Sequence, residues 1–162
     1  MDGAIGIVFD KDKKVLMVKR RDVPIWVLPG GRIEKSESPQ QAVVREVWEE
    51  SGFQTKVKRK VGEYCYHNSK RINHLFECQI ISGSAQTSNE SKDVAFFYPN
   101  NLPKLHDPQL LTLLNDTRSQ DKQIIKKEVP PISKKVIFNE FFKHPTVVIR
   151  YLFIRIGIRI NT

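Results

Sequence analysis

Ser38-Pro39-Gln40-Gln41-Ala42-Val43-Val44-Arg45-Glu46-Val47-Trp48-Glu49-Glu50-Ser51-Gly52 is the stretch on which the fold turns. Ser38 is an N-cap residue, Pro39 suits the first helical position, and Gln41 completes a capping box. Gly52 stands where a helix wants a left-handed C-terminal residue. Both ends are signalled, so the stretch predicts a helix. At about 100° per residue from Ala42, Glu46 falls near 40°, Glu49 near 340° and Glu50 near 80°, so three carboxylates share one side. Val43, Val44, Val47 and Trp48 then span roughly 100° to 240° and are expected to pack on a sheet. Read alone, the acidic triplet fits either a solvated face or a site where a hard cation relieves the repulsion.

Outward from the helix, the chain alternates short apolar runs with turns. Ala4–Phe9 and Val15–Val18 flank the polar turn 10–13 and read as a hairpin. Ile25–Leu28 is a brief strand that ends at Pro29-Gly30-Gly31. After the helix, Phe53–Tyr66 and Ile72–Ile81 read as strands around the turn His67–Lys70. Val94–Tyr98 reads as another strand, and Leu110–Leu114 as part of a short helix. Residues 115–135 are polar and Lys-rich, with Pro130-Pro131, and read as a linker or surface excursion. Many strands with one well-capped helix indicate α+β or α/β.

Composition narrows the class. The 162 residues are 40% hydrophobic and 28% charged, which suits a globular domain with a core. Lys and Arg number 27 against 18 Asp and Glu, for a net charge of +9. The excess is concentrated: residues 121–162 hold nine Lys/Arg and three Asp/Glu. Cys65 and Cys78 are too few for a disulfide framework or a zinc site. No signal peptide or spanning run is evident, so a cytoplasmic protein is expected.

The flanks of the acidic helix extend the pattern. Gly31, Glu37, Arg45-Glu46-Val47, Glu49-Glu50 and Gly52-Phe53 occupy fixed spacings over 23 residues, and this resembles the Nudix box of the Nudix (MutT-like) hydrolases. Trp26–Gly31 is similar to the family's lead-in, and Glu90–Phe97 with Leu102-Pro103 to its downstream pattern. Ser36 stands where many members have Gly. The resemblance covers residues 1–120, leaving 121–162 as a basic extension with no counterpart.

The resemblance implies a mixed β-sheet sandwiched between helices, with the box as loop–helix–loop. It implies a hydrolase dependent on Mg²⁺ or Mn²⁺ that cleaves the pyrophosphate linkage of a nucleoside diphosphate joined to another group, such as a sugar or a choline-like group. Nucleoside triphosphate pyrophosphatase activity and a non-catalytic nucleotide-binding module are the alternatives. Glu46, Glu49, Glu50 and the Gly30 carbonyl would hold metal, with Arg45 and Glu37 orienting them. The general base is a box glutamate such as Glu46, or Glu90 in the later loop, with Asp93 as its rival.

Arg20 and Arg21 could grip phosphate bidentately or be ordinary strand-end charges. Trp26 reads as packing, and His67, His74, His106 and His144 lack ligand spacing. Asn68 stands where ADP-ribose-preferring members often have Pro, and Ser69–Arg71 where dinucleoside-polyphosphate-preferring members often have Tyr.

The tail mixes apolar and basic residues. Ile154–Ile160 alternates like a strand, while Pro145 and Gly157 would equally bound a short helix. It is expected to pack on the core or on a second subunit in a homodimer. Peripheral contact with an acidic membrane is the alternative, and specific nucleic-acid binding is not expected.

Overall fold

The computed structural model describes residues 1–66, 71–119, 123–130 and 143–155. Eight strands run in chain order: β1 Gly3–Val8, β2 Val15–Arg20, β3 Trp26–Val27, β4 Gly30–Arg32, β5 Phe53–Tyr66, β6 Ile72–Gly83, β7 Ser91–Phe97 and β8 Ile125–Val129. Among the described residues, three helices join them: α1 Pro39–Ser51, α2 Leu110–Arg118 and α3 Pro145–Arg155. A five-stranded sheet has the order β4-β1-β6-β5-β8, and a three-stranded sheet the order β3-β2-β7. The larger sheet is mixed, because β1 runs parallel to β6 and β5 parallel to β8.

The larger sheet is covered on both faces. Ala42, Val43 and Val47 of α1 pack with Ala4, Val8, Phe76 and Cys78. On the other face, Ile7, Tyr64 and Leu75 pack with Met17 and Trp26 of the small sheet and with Leu110, Leu113 and Leu114 of α2. The sheet therefore lies between helices, as the resemblance implied. Trp26 is core, stacked edge-on against Phe97 at 4.8 Å.

α1 forms as its caps dictate. Ser38 Oγ accepts from Gln41 N at 3.2 Å, and Gln41 Oε1 accepts from Ser38 N at 2.9 Å. Gly52 ends the helix at φ 78°. Ser36 also sits in the left-handed region, at φ 68°, which explains why Gly suits this position.

Three expectations need correction. Residues 4–9 and 15–18 flank a real turn, in which Asp10 N donates to Lys14 O at 3.0 Å and Phe9 bridges Val15 antiparallel, but the pairing goes no further along the two strands. β1 pairs with β4 and β6 while β2 pairs with β3 and β7, so the strands diverge into different sheets. Trp48 is 53% exposed rather than packed. The buried stripe of α1 is Ala42, Val43, Val47, Glu50 and Ser51, so the packing side is rotated towards the carboxylates. Finally, residues 125–129 are not linker: β8 adds an edge strand beside β5 beyond residue 120.

β8 is tied inward by Lys127 Nζ, which donates to Asp116 Oδ1 at 2.6 Å, while Tyr64 Oη donates to Asp116 Oδ2 at 2.7 Å. In the tail, Pro145–Arg155 is helical, with Ile149 and Leu152 exposed. The expected turn at 67–70, Val136–Phe142 and the remainder of the alternating run, 156–160, lie outside the described residues. Among the described residues, no helix is long and apolar enough to cross a membrane. Cys65 and Cys78 are free thiols, in β5 and β6.

Burial, aided by the Glu77 charge, pushes the Cys78 thiol up to about 12 from an ordinary 9.0. Burial and Asp116 likewise raise Tyr64 from 10.0. The folded chain therefore keeps these protons where the unfolded chain releases them. Their stabilising contribution is whole at neutral pH and falls as pH rises past the unfolded values, by about 1.4 kcal/mol per pH unit for each group at full slope. Urea midpoints should hold from pH 7 to 8.5 and decline between pH 9 and 10. A midpoint that stays level to pH 10 would contradict this burial.

Candidate active site

The site is assembled where β4 meets α1. β4 is the edge strand of the large sheet, and Gly30 and Gly31 pair with Ile5 and Ala4 of β1. Glycine is needed at 31 for space rather than for φ: a methyl group there would run into the Glu46 carboxylate. Gly30 N donates to Glu50 Oε2 at 2.9 Å. The glycine pair thus lets the sheet edge lie directly against two carboxylates of α1.

Arg45 organises the other side. Its Nε and Nη2 donate to Glu37 Oε1 and Oε2 at 2.9 and 3.0 Å, a bidentate grip. Nη1 donates to Glu46 Oε1 at 2.9 Å and to Glu49 Oε2 at 3.0 Å, and Nη2 also reaches the Arg32 carbonyl at 3.0 Å. Glu37 Oε2 in turn accepts from Glu34 N at 3.1 Å. One guanidinium therefore joins the loop before α1, the end of β4 and two helix carboxylates.

Electrostatics follow from this burial. Burial pushes the Glu50 carboxyl up to about 8, with Glu46 and Glu90 adding repulsion while the Gly30 N–H and Arg20 pull the other way. Glu46 is also raised, first by burial and then by Glu49 and Glu90, although Arg45 opposes them. Glu37 is lowered, chiefly by its hydrogen bonds from Arg45.

The structure therefore brings Glu37, Arg45, Glu46, Glu50 and the Gly30 backbone together, with the Glu90 charge beside them. Glu49 joins through Arg45 but points to the exposed side. Asp93 is exposed, accepts from Val94 N, and does not figure among the charges acting on Glu46 or Glu50. Arg20 is held bidentately by Asp22 at 2.8 and 2.5 Å and feels the charges of Glu50 and Glu90. Arg21 Nε instead donates to the Ser88 carbonyl at 2.9 Å. Ser91, which sequence reasoning missed, donates from Oγ to the Glu50 carbonyl at 2.6 Å. The Ser88/Ser91 spacing was a readable signal for a hydroxyl-stabilised turn.

The donor set suits a hard divalent cation in kind, being carboxylate oxygens that repel one another in a desolvated place. Among the described residues, no three His, Cys, Asp or Glu side chains converge as a ligand cage. Arg45 draws Glu46 and Glu49 to itself, and the Gly30 N–H holds Glu50.

Comparison with known proteins matches the family profile described as NUDIX domain to residues 1–117. A Bacillus subtilis protein with the provisional name 8-oxo-dGTP diphosphatase is 35% identical over 129 residues, 78% of this chain and 87% of its own length. An ADP-ribose pyrophosphatase of Methanocaldococcus jannaschii is 37% identical over 109 residues, 63% of this chain and 64% of its own. A crystal structure of an ADP-ribose pyrophosphatase from Streptococcus suis superposes with a TM-score of 0.62 at 26% identity, covering 78% of this chain and 97% of that one.

Gly31→Ala tests the assembly at its tightest point. The three atoms nearest the added methyl all belong to the Glu46 carboxylate, so the change should displace that group first. A displacement of an ångström or so should cost roughly 10²-fold in kcat/KM. Melting temperature should change by less than about 3 °C. Near-normal turnover in Gly31→Ala would show that the placement of Glu46 is unimportant.

Proposed function

We propose, because the chain belongs to the NUDIX family, that it hydrolyses the pyrophosphate linkage of a nucleotide derivative with the help of a divalent cation. The observation that supports this best is buried Glu50 and half-buried Glu46 set beside Gly30, with an upward-shifted carboxyl at both acids. Desolvated, mutually repelling carboxylates without a full set of cationic partners are costly to a fold that does not use them.

Glu46, Glu49, Glu50 and the Gly30 carbonyl would hold Mg²⁺ or Mn²⁺. When bound, such an ion neutralises charge on the phosphoryl oxygens during attack. Positioning and electrostatics carry most of such chemistry, and the chain's own groups divide that work. Arg45, gripping Glu37, orients Glu46 and Glu49 from behind. Arg20, preset by Asp22 and near Glu50, offers a phosphate contact from the opposite side. Glu90, exposed on its loop, takes the proton from the attacking water.

The linked-diphosphate reading draws on the two relatives named as ADP-ribose pyrophosphatases. The Bacillus subtilis relative favours the triphosphate reading as a second possibility. Parallel assays with ADP-ribose, UDP-glucose and 8-oxo-dGTP in Mg²⁺ separate them by which product phosphate appears.

Glu50→Gln preserves shape and removes a charge. It should lower turnover by about 10²-fold or more, and excess EDTA should abolish turnover. Full activity in EDTA would end the metal-dependent reading. For the base, Glu90→Gln should lower kcat by about 10²- to 10⁴-fold with KM nearly unchanged. If Glu90→Gln is instead indistinguishable from wild type while Glu46→Gln is inactive, the base belongs to the box.

A further inference from the structure

We propose that Arg21, Ser88 and Ser91 are positioning residues that hold Glu90 at a set place against the acidic helix. This rests on the hydrolase reading above and on Glu90 as its base. A bulge lies between Lys19 and Arg20, where the β2–β7 register shifts so that Arg20 faces Ser91. Bulges re-aim the residues beside them. Here the re-aimed segment is the turn 88–90 that carries Glu90 into β7.

The turn is closed by hydroxyls. Ser88 Oγ accepts from both Glu90 N and Ser91 N at 3.1 Å. Ser91 Oγ accepts from Ser88 N at 2.9 Å and donates to the Glu50 carbonyl at 2.6 Å. Ser91 is 1% exposed, so this bond is shielded from water. Carbonyls in the last turn of a helix lack intrahelical partners, and Ser91 supplies one to Glu50. The residue whose carboxylate lies against Gly30 is thereby tied through its backbone to the strand behind Glu90.

Arg21 closes the knot from the β2 side. Its N–H donates to the Glu90 carbonyl at 3.0 Å, and its Nε donates to the Ser88 carbonyl at 2.9 Å. Both backbone polar groups of Glu90 are therefore engaged, while its side chain stays exposed. Only side-chain rotation is left to the carboxylate. A base held this way reaches its proton with little orientation to lose. This assigns Arg21 a different task from Arg20, although the two are adjacent in sequence and alike in charge.

A kinetic cycle in the full chain tests the assignment. The probe is whichever of ADP-ribose, UDP-glucose and 8-oxo-dGTP the wild type hydrolyses fastest with Mg²⁺. Arg21→Ala and Ser88→Ala should each lower kcat by about 10-fold or more, with KM within about twofold. In the Glu90→Gln background each should cost less than about twofold, because they act through Glu90. Ser88→Thr, which keeps the hydroxyl, should retain most of kcat, and loss of fold alone would not give that rescue. Equal costs in both backgrounds, or a raised KM with kcat held in Arg21→Ala, would overturn the inference and leave the hydrolase reading standing. If Glu90→Gln is already harmless, the base assignment and this inference fall together. A wild type that turns over no probe overturns the hydrolase reading itself.

Discussion

The structure depends on holding two carboxylates, buried Glu50 and half-buried Glu46, between a helix and the edge of a sheet. Moving an ionised carboxylate out of water costs several kcal/mol unless hydrogen bonds and counter-charges replace the lost hydration. Here the replacements are one backbone N–H, from Gly30, and one guanidinium, from Arg45. That need explains features that look unrelated in the sequence. Gly31 is required at the edge strand so that no side chain displaces Glu46, and Gly30 so that none runs into the β1 backbone at Ala4 and Ile5. Glu37, eight residues before Arg45, is required to hold the guanidinium in one plane. Well-formed caps at both ends of α1 are required because its interior tolerates repulsion at i, i+3 and i+4.

The two-sheet arrangement serves the same site. β1 brings Gly30 and Gly31 to the acidic helix by pairing with β4. β2, leaving the turn at Asp10–Lys14 in another direction, brings Arg20 and Arg21 beside β7. Had β1 and β2 remained a hairpin, the residues that follow each strand could not approach α1 from two sides. The divergence therefore brings both the glycine edge and the Glu90 loop to one helix, where Gly30 and Ser91 each bond to Glu50.

Local features were legible in the sequence, and non-local ones were not. The caps of α1, the Gly52 terminus, the strand at 53–66 and the strand read at 72–81, which the structure extends to 83, follow from residues near one another. The resemblance carried by Gly31, Glu37, Arg45, Glu46 and Glu50 pointed to residues that the fold does bring together. The hairpin reading failed because strand partners are chosen by the whole core, which adjacency does not reveal. Trp48 misled because an apolar residue on a helix was assumed to mark the packing side, whereas the buried stripe includes the acids. β8 was missed because Ile-Lys-Lys-Glu-Val reads as surface, which is what an edge strand with lysines looks like. Glu90 and Asp93 were indistinguishable in sequence. Only the bulge and the serine knot show which of them lies beside the helix.

The two acids, Glu46 and Glu50, are not equivalent, and this asymmetry bears on what the site can do. Both are desolvated, but Glu46 has a guanidinium within hydrogen-bonding distance and Glu50 has a neutral N–H. Glu50 is accordingly the one pushed up to about 8, near neutral pH, where a modest change in nearby positive charge decides its ionisation. Divergent environments for neighbouring carboxyls commonly mark divided roles. Arg45 is fully committed to Glu37, Glu46, Glu49 and the Arg32 carbonyl, so it has no donor left to offer Glu50. Arg20 acts on Glu50 only at a distance, since its own fork is taken up by Asp22. The chain thus gives Glu46 a charged partner and Glu50 only a neutral one, so on the proposed reading Glu50 is the acid that a bound cation would relieve most. That is the arrangement expected of a site that stays folded by itself and completes its electrostatics only with a bound ion and its substrate.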